Sequence, residues 1–249
     1  MHMNLICGIS FLIMTAVGCT EQKDNEEQKI EQGETISLEE PSKGKDPLNG
    51  PKKTPEDFVP KGYMNFKEVY GDLNGDGLDD CALIIKGTDK NKIIQDEYRG
   101  ELDRNRRGII VLLKGKSGYE VAAKNYTCFS SENEDGGVYF PPELVVDIVK
   151  GKLVLHYAHG RYGYWKYTFR YQQGKFLLIG YDQSDSRGPV EHYFYSYNFL
   201  TSKKLTKENI NFETEYPEDE VYEEAWEDLP KKELINLATV EDFDELSFD

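Results

Sequence analysis

Between residues 63 and 210 the chain is cut repeatedly by turns that leave little room for anything but antiparallel hairpins. Segments 108–113 and 119–124 flank Lys114-Gly115-Lys116-Ser117-Gly118, and segments 144–149 and 152–157 flank Lys150-Gly151. Segments 164–171 and 175–180 flank Gln172-Gln173-Gly174, and segments 191–200 and 203–205 flank Thr201-Ser202. A short apolar or alternating run on each side of a Gly-centred or polar turn is the signal of a hairpin. No sustained 3.6-residue periodicity competes with it. The expected fold is therefore all-β, with about ten antiparallel strands in residues 61–210, enough chain for one substantial core. Two four-stranded sheets could be arranged like propeller blades. Three or fewer blades cannot close a ring, so sandwich-like packing is the better expectation. Residues 89–107 form a charged insertion with room for a helical turn.

One turn differs from the rest. Asp72-Leu73-Asn74-Gly75-Asp76-Gly77-Leu78-Asp79-Asp80 places side-chain oxygens at its first, third, fifth and ninth positions and glycine at its sixth. Hard cations such as Ca²⁺ need six to eight oxygen ligands held in a tight loop. Asp72, Asn74, Asp76 and Asp80 supply side-chain oxygens, the Leu78 carbonyl a fifth, and Gly77 the sharp turn. An EF-hand requires a bidentate Glu at the twelfth position. That position is Leu83, inside the apolar run 81–85. Residues 64–70 alternate and residues 81–85 are continuously apolar, so the loop joins two strands rather than two helices. The plainer alternative is an Asp/Asn/Gly-rich turn that merely suits a hairpin.

With its flanking strands, the string 71–80 resembles the calcium hairpin of FG-GAP or VCBS-type repeats, as found in integrin-like propellers and bacterial surface proteins. The resemblance implies Asp72, Asn74, Asp76, Leu78 (through its carbonyl) and Asp80 as Ca²⁺ ligands, with Asp79 pointing outward. It covers about two dozen residues. The chain has one such loop rather than several and lacks the Gly-Ala-Pro element, which argues against a full calcium-bearing propeller.

The N-terminus addresses compartment. Residues 5–17 form an apolar run too short to span a membrane comfortably and suited to a signal peptide. Ala16-Val17-Gly18-Cys19 resembles a bacterial lipobox. That resemblance implies a signal peptide over residues 1–18, a lipidated Cys19 as the mature N-terminus, and attachment to the membrane through that lipid. An ordinary cleaved signal with a coincidental cysteine is the alternative. Residues 20–27 resemble the surface-export signal of Bacteroidetes-type lipoproteins, which implies the outer membrane or cell surface. Residues 19–60 carry few large apolar side chains and cannot bury enough surface to offset ordering entropy. They are expected to form a flexible tether, stiffened by Pro41, Pro47, Pro51, Pro55 and Pro60.

The formal charge of -16 is unevenly placed. Residues 211–249 hold 15 acids and 2 bases, whereas residues 61–210 hold 20 acids and 22 bases. A near-neutral core followed by an acidic C-terminal segment excludes nucleic acid as the expected partner, because phosphate binding needs a clustered basic surface. Arg104-Asn105-Arg106-Arg107 is the one basic cluster, expected to be a solvated loop. The acidic segment is expected to carry a surface strand or short helix docked by Tyr222 and Trp226. Folding of its acids onto Arg104–Arg107 is the sharper alternative.

Four further groups bear on chemistry. Cys81 and Cys128 could form a disulfide in an exported protein, or remain buried thiols. His156 and His159 have no accompanying Cys or Asp partner, so zinc is not expected. Tyr157, Tyr162, Tyr164, Trp165, Tyr167, Phe169 and Tyr171 form the densest aromatic run. Cross-strand aromatic packing explains it most simply; a sugar-stacking platform around Arg161, Tyr162, Tyr164 and Trp165 is the alternative. No nucleophile elbow, phosphate loop or dinucleotide fingerprint occurs. The sequence thus points to a non-enzymatic, calcium-stabilised lipoprotein of the envelope, serving in binding or assembly with a glycan or protein partner. An envelope hydrolase or glycan-processing accessory protein is the second reading.

Overall fold

A computed structural model describes residues 50–134 and 141–248. The signal peptide, Cys19 and most of the expected tether lie outside the described residues. Thirteen strands occur among the described residues: β1 (Tyr63–Gly71), β2 (Asp80–Gly87), β3 (Ile93–Asp96), β4 (Gly100–Asp103), β5 (Arg107–Gly115), β6 (Gly118–Phe129), β7 (Glu143–Val149), β8 (Lys152–Ala158), β9 (Gly163–Gln172), β10 (Lys175–Arg187), β11 (Val190–Asn198), β12 (Lys203–Asn209) and β13 (Tyr222–Asp228). They form a four-stranded sheet in the order β1-β2-β5-β6, a seven-stranded sheet in the order β13-β12-β11-β10-β9-β8-β7, and the separate hairpin β3-β4. Every pairing is antiparallel. The protein is all-β and built from hairpins, as the turns require.

The two large sheets share one apolar core. Ala82, Ile84, Ile109 and Val111 of the smaller sheet meet Leu153, Leu155, Tyr167 and Phe169 of the larger one. Strand alternation sends the intervening residues the other way. Cys81, Leu83, Ile85, Ile110 and Leu112 form a second cluster with Phe58 on the outer face of the smaller sheet. This double burial is why residues 81–85 are apolar without a break. The sheets draw together at one corner, where a Cβ on Gly71 would sit 2.7 Å from Ile148 of β7. Only glycine tolerates that approach.

Several boundaries differ from expectation. The tether does not extend to residue 60. Lys52 bridges Tyr119 through reciprocal backbone hydrogen bonds of 3.0 and 2.7 Å. Residues Pro55–Phe58 form a 3-10 turn that delivers the fully buried Phe58 to the outer cluster. The insertion 89–107 contains one 3-10 turn, Lys90–Lys92, and the β3-β4 hairpin. The acidic segment adds β13 to the sheet edge and then supplies core residues. Leu237, Val240 and Phe243 are buried, and the Phe243 ring lies 5.3 Å from Phe129 and 4.9 Å from Tyr167. Asn125 holds this segment by donating to the carbonyls of Leu237 and Val240 at 3.0 and 2.6 Å.

Candidate functional site

The pair Gly71↔Asp80 closes the β1-β2 hairpin, leaving residues 72–79 as the connecting loop. Leu73 turns inward to the shared core, 3% exposed, and anchors the loop. Gly75 and Gly77 adopt φ of 81° and 82°, a left-handed conformation that glycine takes without steric cost. The polar side chains wrap the loop around itself. Asp72 accepts from the amides of Gly75 and Gly77 at 2.7 and 2.9 Å. Asn74 Oδ1 accepts from the Asp76 amide at 3.0 Å, and Asp76 Oδ1 from the Leu78 amide at 2.8 Å. The Gly77 amide is the main reason the Asp72 carboxyl lies below the usual carboxylate range.

Asp80 has a different role. It is fully buried, its Oδ2 accepting from the Leu73 amide at 2.7 Å and its Oδ1 from the Lys114 amide at 2.8 Å. Burial pushes its carboxyl up, and the two amides pull it partly back. Asp80 therefore ties the root of the loop to β5, while Asp72, Asn74 and Asp76 shape the exposed tip. That root lies at the corner between the sheets, since a Cβ on Gly151, in the β7-β8 turn, would meet the Asp72 carbonyl at 3.6 Å.

The donor chemistry suits Ca²⁺, because Asp72, Asn74, Asp76, the Leu78 carbonyl and Asp80 offer oxygen only. A carboxylate oxygen accepting one N–H retains acceptor capacity. The donors do not form a ready-made cage. Among the described residues no group of three or more His, Cys, Asp or Glu is placed to hold a metal ion. The loop amides hold the side chains instead, and a cation would have to draw the exposed Asn74 and Asp76 together.

The four residues of the alternative sugar-stacking platform do not share a face. Tyr164 and Trp165 are consecutive in β9 and point to opposite sides of the sheet. Trp165 stacks on Tyr157 at 5.4 Å and 13° and packs against the core. Tyr164 lies on the other side, edge-on to His156 at 5.1 Å. Arg161 and Tyr162 occupy the 3-10 turn before β9, the guanidinium 5.5 Å from the Tyr162 ring centre. Cross-strand packing accounts for the aromatic run. Burial, with Lys166 adding to it, lowers the His156 imidazole below its ordinary range.

Cys81 and Cys128 are both free and buried, and no disulfide joins them. Cys81 pairs with Leu112 near one end of β5, whereas Phe129, beside Cys128, pairs with Arg107 at the other. At about 3.4 Å per residue, four to five residues of strand separate the two levels, well beyond disulfide reach. The two thiols also lie in different apolar clusters, on opposite faces of the sheet.

The basic cluster is not a solvated loop. Asn105 and Arg107 are buried at 4% and 5% exposure. Arg106 pairs with Asp242 of the acidic segment at 2.7 Å, and Arg104 with Glu134 at 2.9 Å. Acids of the C-terminal segment thus do meet this cluster, through Asp242 rather than through residues 213–226. Trp226 does not dock the segment, being 65% exposed. Tyr222 is the anchor, its single hydroxyl proton shared between Glu220 at 2.8 Å and Glu191 of β11 at 3.2 Å. This carboxylate–tyrosine cluster has no local sequence signal, because its members come from β11, the β12-β13 connection and β13.

Comparison with protein-family models, with curated proteins and with solved structures gives no match for this chain.

Proposed function

We propose that this protein is a non-enzymatic, exported lipoprotein of the bacterial envelope or surface, in which Ca²⁺ staples the β1-β2 loop of a binding or assembly domain. The observation that carries the reading is the loop 72–80 itself, five oxygen donors within nine residues at the corner of two sheets. Asp72, Asn74, Asp76, the Leu78 carbonyl and Asp80 would hold the ion. Its chemistry there would be a cross-link between the loop tip and the buried root at Asp80, in place of a rigid turn alone. Attachment through a lipid on Cys19 would present the domain to a glycan or protein partner. Ca²⁺ titration followed by thermal unfolding tests the reading. The melting temperature should rise with Ca²⁺ in the wild type and stay flat in Asp76→Ala. A wild type that ignores Ca²⁺ removes the staple, and turnover of glycan or peptide substrates removes the non-enzymatic assignment.

A further inference from the structure

A cavity of about 390 Å³ opens beside the core, between the ends of β10–β13 and the chain segments 229–235 and 247–248. Its volume falls within the range of about 300–1,000 Å³ typical of small-molecule pockets. Leu178, Tyr197, Phe199, Leu229, Ile235 and Phe248 supply apolar walls. The aromatic faces are ordered: Tyr197 and Phe199 stack at 6.1 Å and 29°, and Phe248 lies 5.1 Å from Phe199. The charged lining balances. Lys204 sits opposite Glu227 in the β12-β13 register, its ammonium 5.2 Å from the Tyr197 ring centre, and Lys232 adjoins Glu233, so two bases face two acids on the lining. A ligand with net charge gains little from such a rim, and the acidic segment 211–249 disfavours anions in particular.

We infer that this cavity binds a single small, electrically neutral, flat apolar molecule that packs against Phe199 and Phe248. This gives the binding role proposed above a ligand class. The cation loop takes no part in the cavity, so failure of one leaves the other standing.

The experiment is a fluorescence titration of the full chain, with a calcium chelator present, using the neutral probe N-phenyl-1-naphthylamine and its anionic relative 1-anilinonaphthalene-8-sulfonate. The neutral probe should bind saturably at one site, about tenfold or more tighter than the anion. Ser247→Trp, which places an indole on the cavity lining, should weaken the neutral probe by about tenfold or more. Leu234→Trp repeats the test from the 229–235 segment, and the variant that retains the wild-type melting temperature decides. Absence of saturable binding, equal affinity for the two probes, or binding unchanged by the folded variant each overturns the inference.

Discussion

Replacing Asp80 by alanine separates the structural root of the β1-β2 loop from its cation chemistry. Each oxygen of this buried carboxylate accepts a backbone amide, from Leu73 at 2.7 Å and Lys114 at 2.8 Å. Hydrogen bonds to a charged acceptor contribute about 1.5–3 kcal/mol each, and buried amides left unpaired add to the loss. Burial of the carboxylate offsets part of this gain, since it holds Asp80 above the ordinary carboxyl range. Asp80→Ala should therefore cost about 2–4 kcal/mol. Asp76→Ala removes two exposed hydrogen bonds, from the Leu78 amide at 2.8 Å and the Asn74 side-chain amide at 3.0 Å, and being solvent-exposed they should cost together about 0.5–1.5 kcal/mol. Urea unfolding in chelator, followed by tryptophan fluorescence, measures both. With a slope of about 2–3 kcal/mol per molar urea, Asp80→Ala lowers the midpoint by about 0.7–2 M. Ca²⁺ at a hundred times its dissociation constant should add about 2.7 kcal/mol to the wild type and nothing to either variant. An Asp80→Ala cost no larger than that of Asp76→Ala, measured in chelator, would refute the division into root and tip.

Three other outcomes follow from the same geometry. Gly163→Ala should destabilise by more than about 2 kcal/mol in thermal or urea unfolding, because φ is 104° and the new Cβ would sit 1.8 Å from the Ser184 carbonyl. Gly174→Ala, at φ 75° with open space around it, should cost only about 1 kcal/mol. Lys86 is buried between Asp103 and Glu132, 2.8 Å from each, so Lys86→Met should cost about 1–3 kcal/mol, the partners' partial exposure softening the loss. Burial works against both charges of the Lys86–Asp103 pair, but their mutual hydrogen bond and neighbouring contacts hold Lys86 above its ordinary 10.5 and Asp103 below its ordinary 3.8. Their contribution is accordingly full between those values. It is lost as pH falls through the Asp103 value or rises through the Lys86 value, so the wild type–variant gap should narrow at both extremes. Alkylation of the unfolded, non-reduced chain followed by mass mapping should label both Cys81 and Cys128; an unlabelled, cross-linked pair would contradict their placement in separate clusters.

The legible parts of the fold are those whose signals are local. Lys150-Gly151 and Gln173-Gly174 place residues at positive φ, and such turn chemistry can be recognised from two or three residues. The run 81–85 announced burial on both faces, though it could not name Phe58 as the cover. The β3-β4 hairpin carries no local signal because it hardly enters the core. Ile93 and Ile94 are exposed at 42% and 40%, and Leu102 is its one buried apolar residue, so no alternation marks the pair. In the sequence β13 stays open between a surface strand and a short helix, because no apolar alternation decides between them. Its acids oppose lysines of β12, with Lys203–Asp228 at 2.5 Å and Lys207–Glu224 at 2.5 Å, so charge, not apolar pattern, accompanies its pairing. Charged edge strands also resist unwanted sheet extension.

The site divides along the same line. All five proposed cation donors lie within nine residues, so their identity and order could be read directly. Whether they converge depends on where each side chain finds its hydrogen bonds, and here Asp72, Asn74 and Asp76 turn to amides of the loop itself. The C-terminal segment is the opposite case. Leu237, Val240, Phe243 and Leu246 recur every third residue, which is the period of neither a strand nor an α-helix, and acids occupy positions 241, 242, 244 and 245. A segment without regular secondary structure buries side chains wherever its backbone passes a gap, so its contribution to the core carries no strand or α-helix period to detect. The same irregularity shapes the cavity. Leu229, Ile235 and Phe248 can wall a space beside Tyr197 and Phe199 because no regular element fills it. A straight strand laid along β10 and β11 would have packed its alternating side chains into that volume.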